Sequence, residues 1–185
     1  MTRFKFQEYV SSMSTALSAT DNEKIEEVIK IILNTSNNGG NIWLIGNGGS
    51  ASTSSHFATD LSRCRNVRGE PIKGISLCDN SGLLTAIGND FGFEEIFVKQ
   101  LSNLGKKNDL LITISASGNS VNIIKALEFA KSKSINTVAL TGFNGGRAHE
   151  LCDYSIHVPT SIGDYGVAED SHSIISHFIC SRMRN

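Results

Sequence analysis

From residue 42 onward the chain alternates short apolar runs with stretches of helical periodicity. The apolar runs fall at 42–45, 72–77, 110–114, 137–140 and 155–158. Each is too compact for an amphipathic helix, which predicts five buried strands. Helical patterns fill the intervals at about 50–62, 81–104 with a break at Asn89-Asp90-Phe91-Gly92, 120–132 and 145–151. A last helix is predicted at about 167–182, where Ile174, Ile175, Phe178 and Ile179 supply its apolar side. Strands that alternate with helices are joined by right-handed crossovers, which give a parallel sheet covered on both faces. The expected fold is therefore α/β, a three-layer sandwich around a five-stranded parallel sheet of flavodoxin-like or Rossmann-like type.

Two helices precede the first strand. Phe6, Val10, Met13 and Leu17 recur at helical spacing and predict an amphipathic helix over 3–18. Thr20-Asp21-Asn22-Glu23 reads as a capping box in which the Thr hydroxyl and the Glu carboxylate satisfy free amides. Ile25, Val28, Ile29 and Ile32 form the buried stripe of the helix it opens, and 34–40 is a polar, glycine-ended stop. With no repeat, low-complexity tract or linker, the 185 residues are expected to form a single domain, with N-terminal helices in 1–38 and an α/β core in 40–185. The later helices can already cover both faces of the sheet. The stripe of the first helix is therefore expected to make oligomer contacts.

Composition narrows the partners. Seventeen Lys+Arg against 18 Asp+Glu leave a formal charge of -1, without the basic surplus by which proteins displace counterions from nucleic acid or meet anionic lipid. No apolar stretch approaches the ~18 residues of a membrane span. The first ten residues mix charged and aromatic groups and lack the apolar core of a signal peptide, so a cytoplasmic protein is expected. Cys64, Cys78, Cys152 and Cys180 are scattered without a CxxC pair and read as reduced, mostly buried thiols.

In a sheet of this kind ligands bind beyond the carboxyl ends of the strands, where loops enter helices. The first such loop is Gly46-Asn47-Gly48-Gly49-Ser50, followed by Ala51-Ser52-Thr53-Ser54-Ser55. Its glycines let the backbone approach a ligand, and the amides at the start of the next helix favour an anion. It is neither GxGxxG in frame nor a P-loop. The third strand ends in Ser115-Ala116-Ser117-Gly118-Asn119-Ser120, directly before a helix. Its hydroxyls and amides can hold phosphate oxygens in place of the usual lysine, although Ser120 would serve equally as a helix cap. Two loops of one chemical type point to a phosphorylated ligand.

His56 and Asp60 are four apart on the helix after the first loop and so share a face. That spacing suits a metal half-site, an acid-base pair or an ordinary surface contact. The last helix adds Glu169, Asp170, His172 and His177, and zinc accepts imidazole and carboxylate ligands of this kind. On a regular helix Asp170 and His177 are nearly aligned, whereas Glu169 is displaced from His177 by about 80° and His172 by about 140°. Periodicity alone thus pairs His177 with Asp170. His149 and His157 read as an isolated surface residue and an isolated strand-flanking residue.

Five segments now follow in one order: Gly46 to Ser50, His56-Phe57-Ala58-Thr59-Asp60, Ala86-Ile87-Gly88-Asn89-Asp90-Phe91-Gly92-Phe93, Ile114 to Ser120, and Leu140-Thr141-Gly142-Phe143-Asn144-Gly145-Gly146. With them the chain resembles the phosphoheptose isomerases, the sedoheptulose 7-phosphate isomerase branch of the sugar isomerase (SIS) domain family, over essentially its whole length. The resemblance implies a homotetramer that converts sedoheptulose 7-phosphate to D-glycero-D-manno-heptose 7-phosphate for lipopolysaccharide or other surface glycans. It implies substrate binding at Asn47, Gly48, Gly49, Ser50, Asn89, Asp90, Ser115, Ala116, Ser117, Ser120 and Glu169. It implies one zinc per subunit on His56, Asp60, Glu169 and His177. The family has Glu where this chain has Asp60, and Gln where it has Glu169. The shorter side chain sets a carboxylate back by roughly 1 Å, an error that can cost ~100-fold in rate. The added charge at Glu169 favours a divalent metal and disfavours an anionic intermediate.

Aldose-ketose isomerisation moves a proton between C1 and C2 through an enediol and needs a base, an acid at the carbonyl oxygen and shelter from water. The expected roles are Asp60 as base, His177 as acid and Ser115, Ser117 and Ser120 as phosphate holders. A carboxylate bound firmly to zinc is a poor base, so Asp60 either alternates between the two tasks or leaves proton transfer to another group. The rival readings are a non-catalytic SIS protein of the replication-initiator-associating kind and an isomerase of a different phosphosugar. His56/Asp60 and Glu169/His177 speak for the enzyme, since a scaffold needs no acid-base groups at both places.

Overall fold

The computed structural model describes residues 5–184. Five strands, β1 (Ile42–Gly46), β2 (Gly74–Ser76), β3 (Leu110–Ser115), β4 (Asn136–Thr141) and β5 (Tyr154–His157), pair in parallel in the order β2-β1-β3-β4-β5. The helices are α1 (Phe6–Ser18), α2 (Asn22–Asn37), α3 (Gly49–Ser62), α4 (Ser81–Phe91), α5 (Val98–Leu104), α6 (Val121–Ser132), α7 (Gly146–Leu151) and α8 (Tyr165–Ser181). Residues 3 and 4 of the expected first helix lie outside the described residues, as do the first two residues of the chain and Asn185.

Alternation along the strands builds the three expected layers. Ile42, Leu44, Ile112, Ile114, Val138, Leu140 and Ile156 face one way and pack with residues of α2, α3 and α8. Trp43, Ile45, Leu111 and Ala139 face the other way, against residues of α4, α5, α6 and α7. Each fully buried Ile, Leu or Val contributes roughly 1.5–3 kcal/mol, so both faces of the central strands hold the fold together. Strand order reverses between β1 and β3: the chain leaves β1 toward β2 and later returns to the other side of β1. The helices that follow β1 and β3 consequently diverge, opening a crevice at the carboxyl ends of these two neighbours.

Several expectations shift in detail. The run 72–77 supplies only a three-residue edge strand, although Ile72 is fully buried ahead of it. The helical stretch 81–104 divides into α4, a 3-10 turn at Phe93–Glu95, and α5. Helix α2 is capped by Asp21, which accepts from the Glu23 amide at 2.8 Å, and not by Thr20, whose hydroxyl donates back to the Ala16 carbonyl. The stripe of α1 is divided as well: Met13 and Leu17 pack on the core, while Phe6 and Val10 stay exposed at 74% and 41%. The helix therefore has a place on the subunit, against α8, and the Tyr9 hydroxyl fastens it by donating to Asp170 at 2.5 Å. Cys64, Cys78, Cys152 and Cys180 are all free thiols. No helix among the described residues is long and apolar enough to cross a membrane.

Candidate active site

The two expected ligand loops meet at the crevice between β1 and β3. They are joined by a reciprocal amide pair: Asn47 Nδ2 donates to Asn122 Oδ1 and Asn122 Nδ2 donates to Asn47 Oδ1, both at 2.9 Å. Asn122, only 2% exposed, sits in the first turn of α6 on the same inward stripe as Ile123, Ala126 and Ala130. The β3–α6 loop is further locked to the loop before α7. Gly118 has φ +64°, its carbonyl accepts from the Ala148 amide at 2.8 Å, and a Cβ there would stand 2.0 Å from the Gly145 carbonyl oxygen. Only glycine fits that approach.

Within the loop, the Ser115 and Ser117 hydroxyls accept from the amides of Gly118 (3.1 Å) and Asn119 (3.3 Å). Ser120 occupies the cap position of α6, yet its hydroxyl makes no capping bond, which leaves it for a ligand. A pocket of about 120 Å³ lies here, lined by Asn47, Ser50, Ile114, Ser115, Ala116, Ser117, Ser120, Tyr165 and Glu169. None of these is Lys or Arg. Helices α3 and α6 both begin at the pocket, so their unpaired first amides and dipoles supply its positive potential. A larger cleft of about 660 Å³ lies before the amino ends of β1 and β2, lined by 36–40 with Arg68, Glu70, Pro71 and Lys73. It adjoins the carbonyl end of α2, far from these loops.

His56 and Asp60 lie on α3 and are met there by His177 of α8. The two Nε2 atoms are 3.3 Å apart, and each is 3.6 Å from Asp60 Oδ2. Asp60 is 7% exposed, and its other oxygen, Oδ1, accepts from an Arg184 guanidinium NH2 at 2.5 Å. All three ligand atoms fall within 4.8 Å of one another. Tetrahedral zinc with bonds of about 2.0–2.1 Å holds its ligand atoms roughly 3.3–3.4 Å apart, so two imidazoles and one carboxylate in this arrangement fit the ion. From Gly49 at the pocket to His56, α3 rises about 10 Å, a span suited to an extended sugar phosphate.

Glu169 is outside this three-residue group. Its carboxylate stands over the first turn of α3, where a Cβ on Gly49 would be 2.2 Å from Oε2. Burial and, after it, the neighbouring Asp170 charge push its pKa up. The helical count that paired Asp170 with His177 fails for a tertiary reason. Tyr9 draws the Asp170 carboxylate toward α1, and that bond, followed by burial, raises the Tyr9 hydroxyl to about 12. Asn89 and Asp90 are exposed near the end of α4, with Asn89 donating to Asp90, and neither lines the 120 Å³ pocket.

His149 and His157 are not isolated. Their rings stand 5.3 Å apart, and His149 Nδ1 meets the Ser155 hydroxyl at 2.6 Å. His172 is fully buried on α8, and neither ring nitrogen has a hydrogen-bond partner within 3.5 Å, the Thr141 backbone being the polar neighbour that acts on it. Burial pulls its pKa down to about 4, against a smaller opposing effect of the Thr141 backbone.

Sequence reasoning missed four residues of this region: Asn122, Tyr165, Tyr9 and Arg184. A polar side chain on the buried stripe of α6 was the available signal for Asn122. Arg184 had none, since 124 positions separate it from Asp60.

Residues 5–142 match the SIS domain family model. The chain is 41% identical to a phosphoheptose isomerase of Aliarcobacter butzleri over 166 residues, which cover 90% of this chain and 87% of that one. It is 42% identical to a phosphoheptose isomerase of Aneurinibacillus thermoaerophilus, covering 85% of this chain and 78% of the relative. The solved phosphoheptose isomerase of Neisseria gonorrhoeae superposes with a TM-score of 0.85 at 31% identity, covering 96% of this chain and 94% of that one.

Proposed function

The chain belongs to the SIS domain family, within its phosphoheptose isomerases, and from that premise we propose that it interconverts sedoheptulose 7-phosphate and D-glycero-D-manno-heptose 7-phosphate. The observation that carries the reading is that α3 and α8 each run from the hydroxyl-lined pocket to the His56/Asp60/His177 group. The phosphate is held at Ser115, Ser117 and Ser120 with the first amides of α3 and α6, and Asn47 and Ser50 line the other wall on either side of Gly48 and Gly49. Asn89 and Asp90 reach the substrate only from outside this pocket.

The reaction takes a proton from C1 of the ketose. The C–H electron pair becomes the C1=C2 bond of an enediol while the C2 oxygen accepts a proton. Return of a proton to C2, with loss of the C1 hydroxyl proton, gives the aldehyde. His177 serves as acid toward the carbonyl oxygen when its Nε2 carries a proton instead of a metal. Two carboxylates are placed to take the carbon-bound proton. Asp60 is one, but its Oδ1 already binds Arg184 and its Oδ2 faces two imidazoles. Glu169 is the other; it lines the phosphate pocket and reaches C1 only of a sugar folded back onto the first turn of α3. His56, Asp60 and His177 would hold zinc; Glu169, the fourth ligand that the resemblance implies, is turned to the first turn of α3 and not to this group. Bound there, zinc supplies Lewis-acid polarisation of the substrate oxygens.

Turnover of sedoheptulose 7-phosphate, with metal removed and restored, tests the reading, and solvent-deuterium exchange at C1 locates the base. Replacing the base (Asp60→Asn or Glu169→Gln) or the acid (His177→Gln) should lower turnover at least ~100-fold. Loss of the base stops the exchange outright, and loss of the acid slows it as well, since both act in forming the enediol. Near-wild-type turnover in His177→Gln removes the acid role. No conversion with metal restored moves the protein to the non-catalytic class, and a panel of phosphosugars exposes a different substrate. The relatives are named isomerases, which favours the enzyme.

The reading includes a cytoplasmic homotetramer. Phe6 and Val10 on α1, and Phe91, Phe93 and Val121 near the pocket, are exposed apolar groups that partner subunits would cover. A 20 kDa species in light scattering would remove the tetramer.

A further inference from the structure

We propose that Arg184 is a positioning residue for Asp60, taking one oxygen of its carboxylate so that a single oxygen faces the metal. The inference rests on the metal-dependent reading above. Asp60 is a short carboxylate whose last torsion is soft, and free to turn it could offer either oxygen or both. Here the oxygens are divided. Oδ1 accepts from the Arg184 NH2 at 2.5 Å, while Oδ2 stands 3.6 Å from the Nε2 atoms of His56 and His177.

The guanidinium is held in place by the packing of the residues that follow α8. Met183 is 4% exposed in the main core cluster, and its carbonyl accepts from the Arg65 amide at 3.2 Å. One turn earlier, the Cys180 carbonyl accepts from the Cys64 thiol at 3.5 Å, and the same thiol lies 3.3 Å from the Asp60 carbonyl. The end of α3 and the exit of α8 are thus joined, and Arg184 projects from that joint onto Asp60. The pairing also offsets the cost of burying the carboxylate when no cation is present, since a buried charge left unpaired is strongly destabilising. An Arg suits the task because its planar fork fixes direction, where a Lys acts as a point charge.

The test uses the full chain freed of metal. Zinc is titrated against a chromophoric chelator, and cobalt(II) is added separately so that its visible bands report coordination. The variants are Arg184→Gln, Arg184→Lys, Asp60→Asn and the double Asp60→Asn/Arg184→Gln, with His56→Ala as the ligand control. Arg184→Gln should bind zinc 10- to 100-fold more weakly. Its cobalt bands should lose intensity as a second oxygen enters the coordination sphere. Arg184→Lys should recover part of both. The double variant should bind no more weakly than Asp60→Asn, because Arg184 acts through that carboxylate; a further loss would mark general structural damage and overturn the proposal.

Unchanged or tighter zinc binding with unchanged cobalt bands in Arg184→Gln also overturns it, while loss of zinc in His56→Ala keeps the metal reading intact. A wild-type protein that takes up no zinc overturns both.

Discussion

His172 carries a prediction that can be worked to a number. Its imidazole is fully buried without a hydrogen-bond partner, and burial lowers its pKa from 6.5 to about 4. The unfolded chain therefore binds a proton on this residue at a pH where the native protein does not. Stability is undiminished above pH 6.5, falls as pH drops from 6.5 toward 4, and levels off below that. A difference of about 2.5 units corresponds to a maximum of about 3 kcal/mol, of which about 2 kcal/mol is lost between pH 7.5 and pH 5. Urea unfolding of the wild type and of His172→Met at those two pH values isolates this contribution. Every other titrating group, including His157, whose pKa burial also lowers, is common to both proteins. The variant should lose about 2 kcal/mol less on acidification, or about 4–8 °C less in Tm for a chain of this size. At pH 7.5 it should be no less stable, since Met leaves no unpaired ring nitrogen. Equal pH dependence in the two proteins would refute the reasoning.

Two further substitutions test the frame of the pocket. Asn122→Ala removes both bonds of the Asn47 pair and leaves one amide unpartnered, at a cost of about 1–3 kcal/mol; steady-state assays should show KM or kcat worsened well beyond what the fall in Tm explains, and unaltered kinetics would show that Asn47 needs no support. Gly118→Ala forces a side chain into the left-handed region and against the Gly145 carbonyl, at about 2–5 kcal/mol; thermal unfolding within 1 °C of wild type would contradict the described interlock.

The fold was legible because its signal is local: strands such as Ile42–Gly46 bury every residue, so hydrophobicity runs unbroken along them. Element ends were less legible. Asp21 and Thr20 compete for the same cap, and only the backbone at Asp21 settles it. The ligand loops were legible from residue type and position after strands. The cluster was half legible, since four-residue spacing placed His56 beside Asp60, but that Asp170 is taken up elsewhere follows from Tyr9, 161 positions away. Helical periodicity knows nothing of such a partner, and Arg184 was hidden for the same reason.

The pocket built from hydroxyls, amides and two helix starts has a consequence for how it behaves among competing anions. Side-chain cations gather polyelectrolytes, and their attraction for any phosphate decays as ionic strength rises. A lining of Asn47, Ser50, Ser115, Ser117, Ser120 and Tyr165 with one carboxylate, Glu169, and no cation exerts little long-range pull, so nucleic acids and other polyanions have no purchase on it. Under the proposed function its grip on a phosphomonoester would come from short, directional hydrogen bonds and should weaken little with added salt.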